Sequence, residues 1–317
     1  MYQVAIIGAG QLGSRHLQGL KTASLPFEIW VMDKSIESLN VAKQRYEQVE
    51  AIGEKQLHLT QNIEGLPQTL DFVVVATGSM PRASLVKTLL AHSDVKYMIL
   101  EKVLFPKLEE YDEIGSLIKE KGVKTWVNCA RRMFGVNHEV ARMLDSSPIS
   151  MIFEGTDWGL CCNSIHLIDL FLMFANEDTY TLDTSELLPI VENSKRKGYI
   201  EFYGALNIRT PKGSSLRLVC HKEKSDKTPQ IDIIQNELHV IINEGKGVLN
   251  VNGNESTFRL PFQSETTGTY ADMLLKMGHC SLTPFEMSTR YHKVFIGELL
   301  NFYNKVNGTE SDLLPIT

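Results

Sequence analysis

Residues 2–13, YQVAIIGAGQLG, constrain this chain more than any other stretch. A short apolar run ends in Gly8-Ala9-Gly10-Gln11-Leu12-Gly13, and a helical pattern, LGSRHLQGLKTA, follows. In a strand-to-helix connection the first glycine permits the tight turn and the second lets backbone approach a pyrophosphate. The third lets the helix pack closely on the strand. The helix N-terminus then offers unpaired N–H groups and a favourable dipole to phosphates. The spacing alone is a weak signal; its position between a strand and a helix gives it meaning. Asp33 ends the next strand pattern, FEIWVMD, about 20 residues after Gly13, where an acid accepts hydrogen bonds from a ribose diol. A carboxylate there repels a 2′-phosphate, so NAD is expected over NADP, with Lys34 moderating the preference.

The first 125 residues continue this rhythm. Strand patterns at LHLT, DFVVVAT, KYMILEK and KTWVNCA alternate with helical ones. Nearly unbroken β-rich runs such as FVVVAT belong to parallel strands buried on both faces, and their alternation with helices predicts a doubly wound α/β sheet. From about residue 148 the pattern changes. MIFEGTDW reads as a strand and NSIHLIDLFLMFA as a helix. YIEFYGALNIRT, SSLRLVCHK, QIDIIQN, ELHVIINEG, VLNVNG and STFRLPF then follow as strands with little helix between them. That succession predicts a mostly antiparallel sheet. The expected domains are 1–125 and 126–317, the second α+β, with a closing helix over 290–308 that packs back on the first.

A chain of 317 residues suits two domains, and 43% hydrophobic with 22% charged residues is ordinary globular composition. The net charge of −6 argues against nucleic acid as partner. No apolar run approaches the roughly 20 residues that span a bilayer, so no membrane partner is expected. The strand pattern starting at residue 2 argues against a signal peptide, and five cysteines without a C-x-x-C pair suit a reducing compartment; a cytoplasmic protein is expected. Cys161-Cys162 with His166 lacks the further convergent ligands zinc requires, and no metal is expected.

Two strand ends, ATGSMPR (76–82) and LEKVLFP (100–106), fall on the sheet edge that faces the ligand crevice in an open parallel sheet. Lys102 there can hydrogen-bond an alcohol oxygen. Together, GAGQLGSRHL, the Ala76-Thr77 strand end, Glu101-Lys102, VNCARR and a helix carrying S-x-H-x-x-D resemble the Gfo/Idh/MocA oxidoreductases, over nearly the whole chain. The resemblance implies an N-terminal Rossmann domain and a second domain whose open sheet joins copies of the chain into a homodimer or homotetramer. It implies NAD(P)-dependent oxidation or reduction of a sugar, cyclitol or nucleotide-linked sugar. It assigns Gly8, Gly10, Gln11, Leu12, Gly13, Asp33, Ala76, Thr77, Gly78, Glu101 and Lys102 to the cofactor, and Lys102 also to the reacting hydroxyl.

The chain departs from the family pattern at several places. Val103 replaces the proline of Glu-Lys-Pro. A cis bond without proline costs roughly 3–4 kcal/mol, so a differently shaped loop is expected there. Gly78 replaces the proline of Ala-Thr-Pro, and Arg82 stands where a histidine is common. In the helix motif D-x-G-x-H-x-x-D, His166 and Asp169 are kept, while Cys162 and Ser164 replace the aspartate and glycine. Asn163, His166 and Asp169 recur at three-residue spacing and so form a polar stripe.

Oxidation of a carbinol needs a group to take the hydroxyl proton, and imidazole ordinarily titrates near neutral pH. His166 is therefore the expected proton acceptor, with Lys102 stabilising developing alkoxide charge and the two meeting over the nicotinamide. Asn163, Asn128, Arg131 and Asp169 are expected on the substrate side. Adjacent Arg131 and Arg132, read as strand residues, would point to opposite faces. The basic loop 194–198 reads as a solvated loop, and His221 as a strand end. Competing readings are a dinucleotide-binding regulatory or structural protein without turnover, and an oxidoreductase of a non-sugar ketone or imine.

Overall fold

The computed structural model describes residues 1–226 and 228–317. The chain forms two compact units, the first Met1–Phe105, Glu109–Asn128 and Pro261–Phe285, the second Pro106–Leu108, Cys129–Leu260 and Glu286–Thr317. In chain order the elements are β1 (Tyr2–Ile7), α1 (Gln11–Lys21), β2 (Phe27–Met32), α2 (Ile36–Glu47), β3 (Lys55–Thr60), β4 (Thr69–Val75), α3 (Ser79–His92), β5 (Asp94–Leu100), α4 (Leu108–Glu120) and β6 (Lys124–Val127). There follow α5 (Gly135–Met143), β7 (Ser150–Thr156), α6 (Leu160–Ala175), β8 (Thr181–Asp183), β9 (Glu192–Asn193), β10 (Ile200–Glu201), β11 (Gly204–Arg209), β12 (Ser215–His221), β13 (Gln230–Gln235), β14 (Leu238–Asn243), β15 (Val248–Val251) and β16 (Asn254–Thr257). The chain closes with α7 (Gln263–Met277), β17 (Thr283–Pro284) and α8 (Phe285–Asn307).

In the first unit the sheet order is β17-β6-β5-β4-β1-β2-β3, with β1 to β6 parallel and β17 antiparallel on the edge. This is the doubly wound order, and the strand sequence reverses between β1 and β4, where such sheets bind ligands. The pairings Ile7↔Met32, Ile7↔Val75 and Val75↔Leu100 bring Gly8, Asp33, Ala76 and Glu101 to one edge. Val4 to Ile7, Phe72 to Val75 and Met98 to Leu100 are buried, as strands covered on both faces require.

A single boundary at residue 125 misses one return of the chain. Residues 261–285 belong to the first unit, where α7 packs on α1. Two glycines make that packing close: a Cβ on Gly268 would lie 2.4 Å from the Gly19 carbonyl oxygen. The helix that returns is thus α7, whereas nearly all of α8 belongs to the second unit.

The second unit holds an eight-stranded sheet, β16-β15-β14-β13-β7-β12-β11-β8, in which only β7 and β12 run parallel. Met151, Leu216, Leu218, Ile231, Ile233, Val240 and Ile242 make its buried face, and α6, apolar almost all round, is buried with them. On the other face Ile152 and Ile234 are 40% and 49% exposed. Two sequence-read strands are shorter than expected. YIEFYGALNIRT breaks into β10 and β11 at Phe202 and Tyr203, just before Gly204, which opens β11 with φ +108° and packs closely on the Glu186 carbonyl. In STFRLPF only Ser256 and Thr257 are strand. Among the described residues, no helix is long and apolar enough to cross a membrane.

Candidate active site

The site in the first unit is built mainly from backbone. Gly8 has φ +97°, and a Cβ on Gly13 would lie 1.8 Å from the Gly8 carbonyl oxygen, so turn and helix close on each other only with glycine at both places. Gly10 is the N-cap of α1, makes no side-chain cap, and a Cβ there would meet nothing within 4 Å. No N-cap side chain therefore satisfies the first-turn amides of α1. Gly78 caps α3 in the same uncapped way, and Thr77 Oγ1 beside it is buried with no hydrogen-bond partner among the described residues. Asp33 is anchored at the end of β2: Oδ2 accepts from the Ala9 N–H at 2.7 Å and Oδ1 from the Ser35 N–H at 2.9 Å. Two helices that start on glycines without a side-chain cap, a buried hydroxyl and a fixed carboxylate fit a dinucleotide pyrophosphate and ribose. Gln11 is partly committed elsewhere, its Oε1 accepting from Arg45 Nη2 at 2.7 Å. Leu12 is half-buried beside it.

Glu101 does not face this edge. It is 2% exposed, and its Oε1 pairs with His16 Nε2 at 2.9 Å. Asn128 donates to the same oxygen and to Gln263 Oε1, and His16 Nδ1 lies 2.8 Å from Thr267 Oγ1. Burial alone would push the Glu101 carboxyl up, but His16, Asn128 and the nearby Lys102 charge outweigh it and hold the group below its usual range. Glu101 and Asn128 therefore serve a buried network joining β5, α1 and α7. Lys102 is half-buried, and its N–H donates to Glu101 Oε2 at 3.3 Å. The Lys102–Val103 peptide is cis although no proline follows Lys102, so the loop keeps the geometry that a missing proline argues against. Arg82, also fully buried, donates to the carbonyls of Thr77, Val103 and Leu104, tying the β4 and β5 ends together.

In the second unit α6 starts at Gly159, whose φ is +79°. Asn163 Nδ2 donates to the Trp158 carbonyl at 2.7 Å, so half of its amide fixes the approach to its own helix. Cys162 and Asn163 on one turn and His166 on the next are half-buried, while Asp169 is fully buried and bonded to Arg132 Nε at 2.7 Å. The polar stripe therefore ends at His166, and Asp169 is a structural ion pair. Burial would lower Arg132, but Asp169 more than offsets it. Arg131 and Arg132 lie in a one-turn 3-10 helix, Ala130–Met133, and not in a strand. Arg131 is held bidentately by Glu244, at 2.8 and 2.6 Å, which occupies the fork expected to meet substrate. His221 ends β12 and pairs with Glu154. Cys161 is buried, and its thiol is pushed well above the usual range chiefly by that burial.

Beside the α6 N-terminus lies a cavity of about 680 Å³, lined among others by Trp158, Cys162, Asn163, Arg196, Glu201 and Tyr203. Glu201 reaches it from β10, with Oε2 accepting from the Cys161 N–H at 2.8 Å. His16, Gln263, Thr267 and Glu201 all escape the sequence patterns, and Arg82 is marked there only as the replacement of a histidine. His16 carries one signal, its place three residues after Gly13 on the phosphate-binding helix; Gln263, Thr267 and Glu201 carry none.

Residues 2–129 match the family described as "Oxidoreductase family, NAD-binding Rossmann fold". This segment belongs to the Gfo/Idh/MocA family. No curated protein is matched by the sequence. Solved structures share the fold of this chain over both units. UDP-N-acetylglucosamine 3-dehydrogenase GnnA from Acidithiobacillus ferrooxidans superposes with a TM-score of 0.73 at 12% identity, over 95% of this chain and 96% of that one. An oxidoreductase from Agrobacterium radiobacter, solved with NAD+, L-tartaric acid and magnesium, gives 0.67 at 16% identity, over 92% and 94%. A super-repressor mutant of Gal80p from Saccharomyces cerevisiae gives 0.71 at 14% identity, over 97% and 96%.

Proposed function

We propose that this protein is an NAD-dependent oxidoreductase acting on a carbinol or keto carbon of a sugar, cyclitol or nucleotide-linked sugar, with NADP as the alternative cofactor. The observation that carries this reading is the carboxyl edge of the parallel sheet: α1 and α3 each start on a glycine without a side-chain cap, Asp33 is fixed beside the α1 start, and Lys102 follows β5. The nicotinamide, when bound, supplies the hydride acceptor or donor. Gly8, Gly10, Gly13 and Gly78 leave room for the phosphates, and Asp33 takes the ribose diol. Lys102 donates to the reacting oxygen and stabilises charge as the alkoxide develops. His166 takes the hydroxyl proton in oxidation and returns it in reduction.

The test is NADH formation or consumption across free sugars, cyclitols, sugar acids and nucleotide sugars, with wild type, Lys102→Ala and His166→Ala. Turnover reduced by about 100-fold or more in each variant, with NAD affinity kept in His166→Ala, is expected for proton-handling groups. Turnover untouched by both substitutions would reject the two assignments. A second reading, a cofactor-binding protein without turnover, is favoured by Cys162, where the family motif has an acid; a wild type that binds NAD yet is inert across the panel supports it. The exposed sheet face carrying Ile152 and Ile234 is proposed to join copies of the chain, which light scattering measures.

A further inference from the structure

The first turn of α6 carries no acidic residue, and Cys162 and Asn163 are neutral. A carboxylate nonetheless stands at this helix end. Glu201 is 8% exposed, accepts from the Cys161 N–H, and lines the 680 Å³ cavity with Trp158, Asn163 and Tyr203. That volume falls within the roughly 300–1,000 Å³ usual for small-molecule sites. Half-buried aromatic rings beside a carboxylate and an amide suit a ring with apolar C–H faces and hydroxyl edges.

The charged groups at the rim narrow the choice further. Lys195 is 84% exposed in its side chain and paired with Asp157 at 2.9 Å, while Arg196 donates to Thr317 Oγ1 at 3.0 Å. Tyr203 also spends its hydroxyl on Asp157, at 3.0 Å. Lys195 is thus paired at the rim, Arg196 is bound there to a neutral hydroxyl, and the buried carboxyl group inside is that of Glu201. An anionic ring seated against Glu201 would meet repulsion in a low-dielectric site; a neutral one would not.

We propose that Glu201 is a substrate-binding and specificity-determining residue: its carboxylate accepts a hydrogen bond from a hydroxyl of an uncharged sugar or cyclitol ring, supplying from β10 the acid that α6 lacks. This rests on the reading of α6 as the substrate helix in the preceding section. Glu201→Gln keeps the shape and an acceptor for Cys161 N–H, so its effect reports charge.

The full chain is titrated by calorimetry with D-glucose, myo-inositol, UDP-N-acetylglucosamine and D-glucuronate, with NAD affinity as the folding control. Glu201→Gln is expected to weaken the neutral rings by about tenfold or more, as loss of a charge-assisted hydrogen bond does. Wild type is expected to bind D-glucose at least about tenfold more tightly than D-glucuronate, and Glu201→Gln to narrow that ratio, which loss of a merely structural contact does not do. Equal ring affinities in the two proteins, or no binding of any ring by wild type, overturn the proposal. So does a wild type that takes D-glucuronate as readily as D-glucose, which needs no variant to fold. Ring binding that depends on Glu201 without any turnover leaves this assignment standing and rejects the oxidoreductase reading. Turnover with an unchanged KM in Glu201→Gln does the reverse.

Discussion

Each unit buries one glutamate at the end of a strand, and the two behave oppositely. Glu101 follows β5 and faces His16, with Asn128 on the same oxygen. Glu201 closes β10 and faces the backbone and thiol of Cys161. Burial is the largest influence on both. In Glu101 it is outweighed by the histidine, the amide and Lys102, so the carboxyl lies below its usual value; in Glu201 it prevails and the carboxyl lies above. A buried acid matched by a cation is committed to the fold. One held by backbone dipoles, with the exposed Lys195 charge near it and a cavity beside it, keeps capacity for a ligand.

The same contrast runs through the two candidate sites. The first unit presents main-chain groups at its sheet edge, and these tolerate side-chain change: Gly78 replaces a proline and still caps α3. The second unit presents side chains on one helix, where every replacement changes chemistry. Of the residues expected on the substrate side, Arg131 and Asp169 are spent in ion pairs and Asn163 partly on the Trp158 carbonyl.

The sharpest way to break the comparison is Asp169→Ala. If Asp169 is structural, leaving half-buried Arg132 without its carboxylate should cost about 3 kcal/mol in urea unfolding followed by a probe in the second unit. A variant of wild-type stability would return Asp169 to the ligand side. Gly13→Ala comes next. The added Cβ meets the Gly8 carbonyl, so about 1–3 kcal/mol of stability and most NAD affinity should be lost together. Calorimetry with NAD and a thermal melt read both.

A pH series sharpens the glutamate pair. With its folded pKa depressed, Glu101 contributes stability that is present above the unfolded value near 4.5 and lost as pH falls through the folded one. Glu201, raised, contributes stability that is present below 4.5 and lost as pH rises through its folded value. Glu101→Gln should therefore flatten the acid-side loss of stability, and Glu201→Gln should remove a decline on the other side of 4.5. Matching slopes in both variants would erase the distinction. The smallest effect is expected from Lys195→Ala. Its ion pair with Asp157 is exposed, and stability should change by less than about 0.5 kcal/mol in the same melts.

Much of the first unit was legible because its signals are local. The glycine spacing, the acid at the end of β2 and the apolar strands each report on a few neighbouring residues. The β5 end was located correctly, yet the direction of Glu101 was not, because His16 and α7 reach it from 85 and more residues away. In the second unit α6 and the antiparallel strands were readable from their patterns. The polar stripe of α6 was not, since three-residue spacing says which side chains share a face but not what covers that face. Arg132 covers one end of it and leaves His166 at the other.

The amino-acid sequence by itself determined the strand–turn–helix opening, the doubly wound order it begins and the change to an antiparallel sheet after residue 148. Backbone geometry and apolar periodicity act within a few residues, and that range suffices for those features. Only the tertiary structure decided which polar groups are spent and which remain available. It paired Glu101 with His16, Arg131 with Glu244 and Asp169 with Arg132, and it set Glu201 at the start of α6. The cost of burying a charge is settled by partners distant in sequence, so no local pattern carries it.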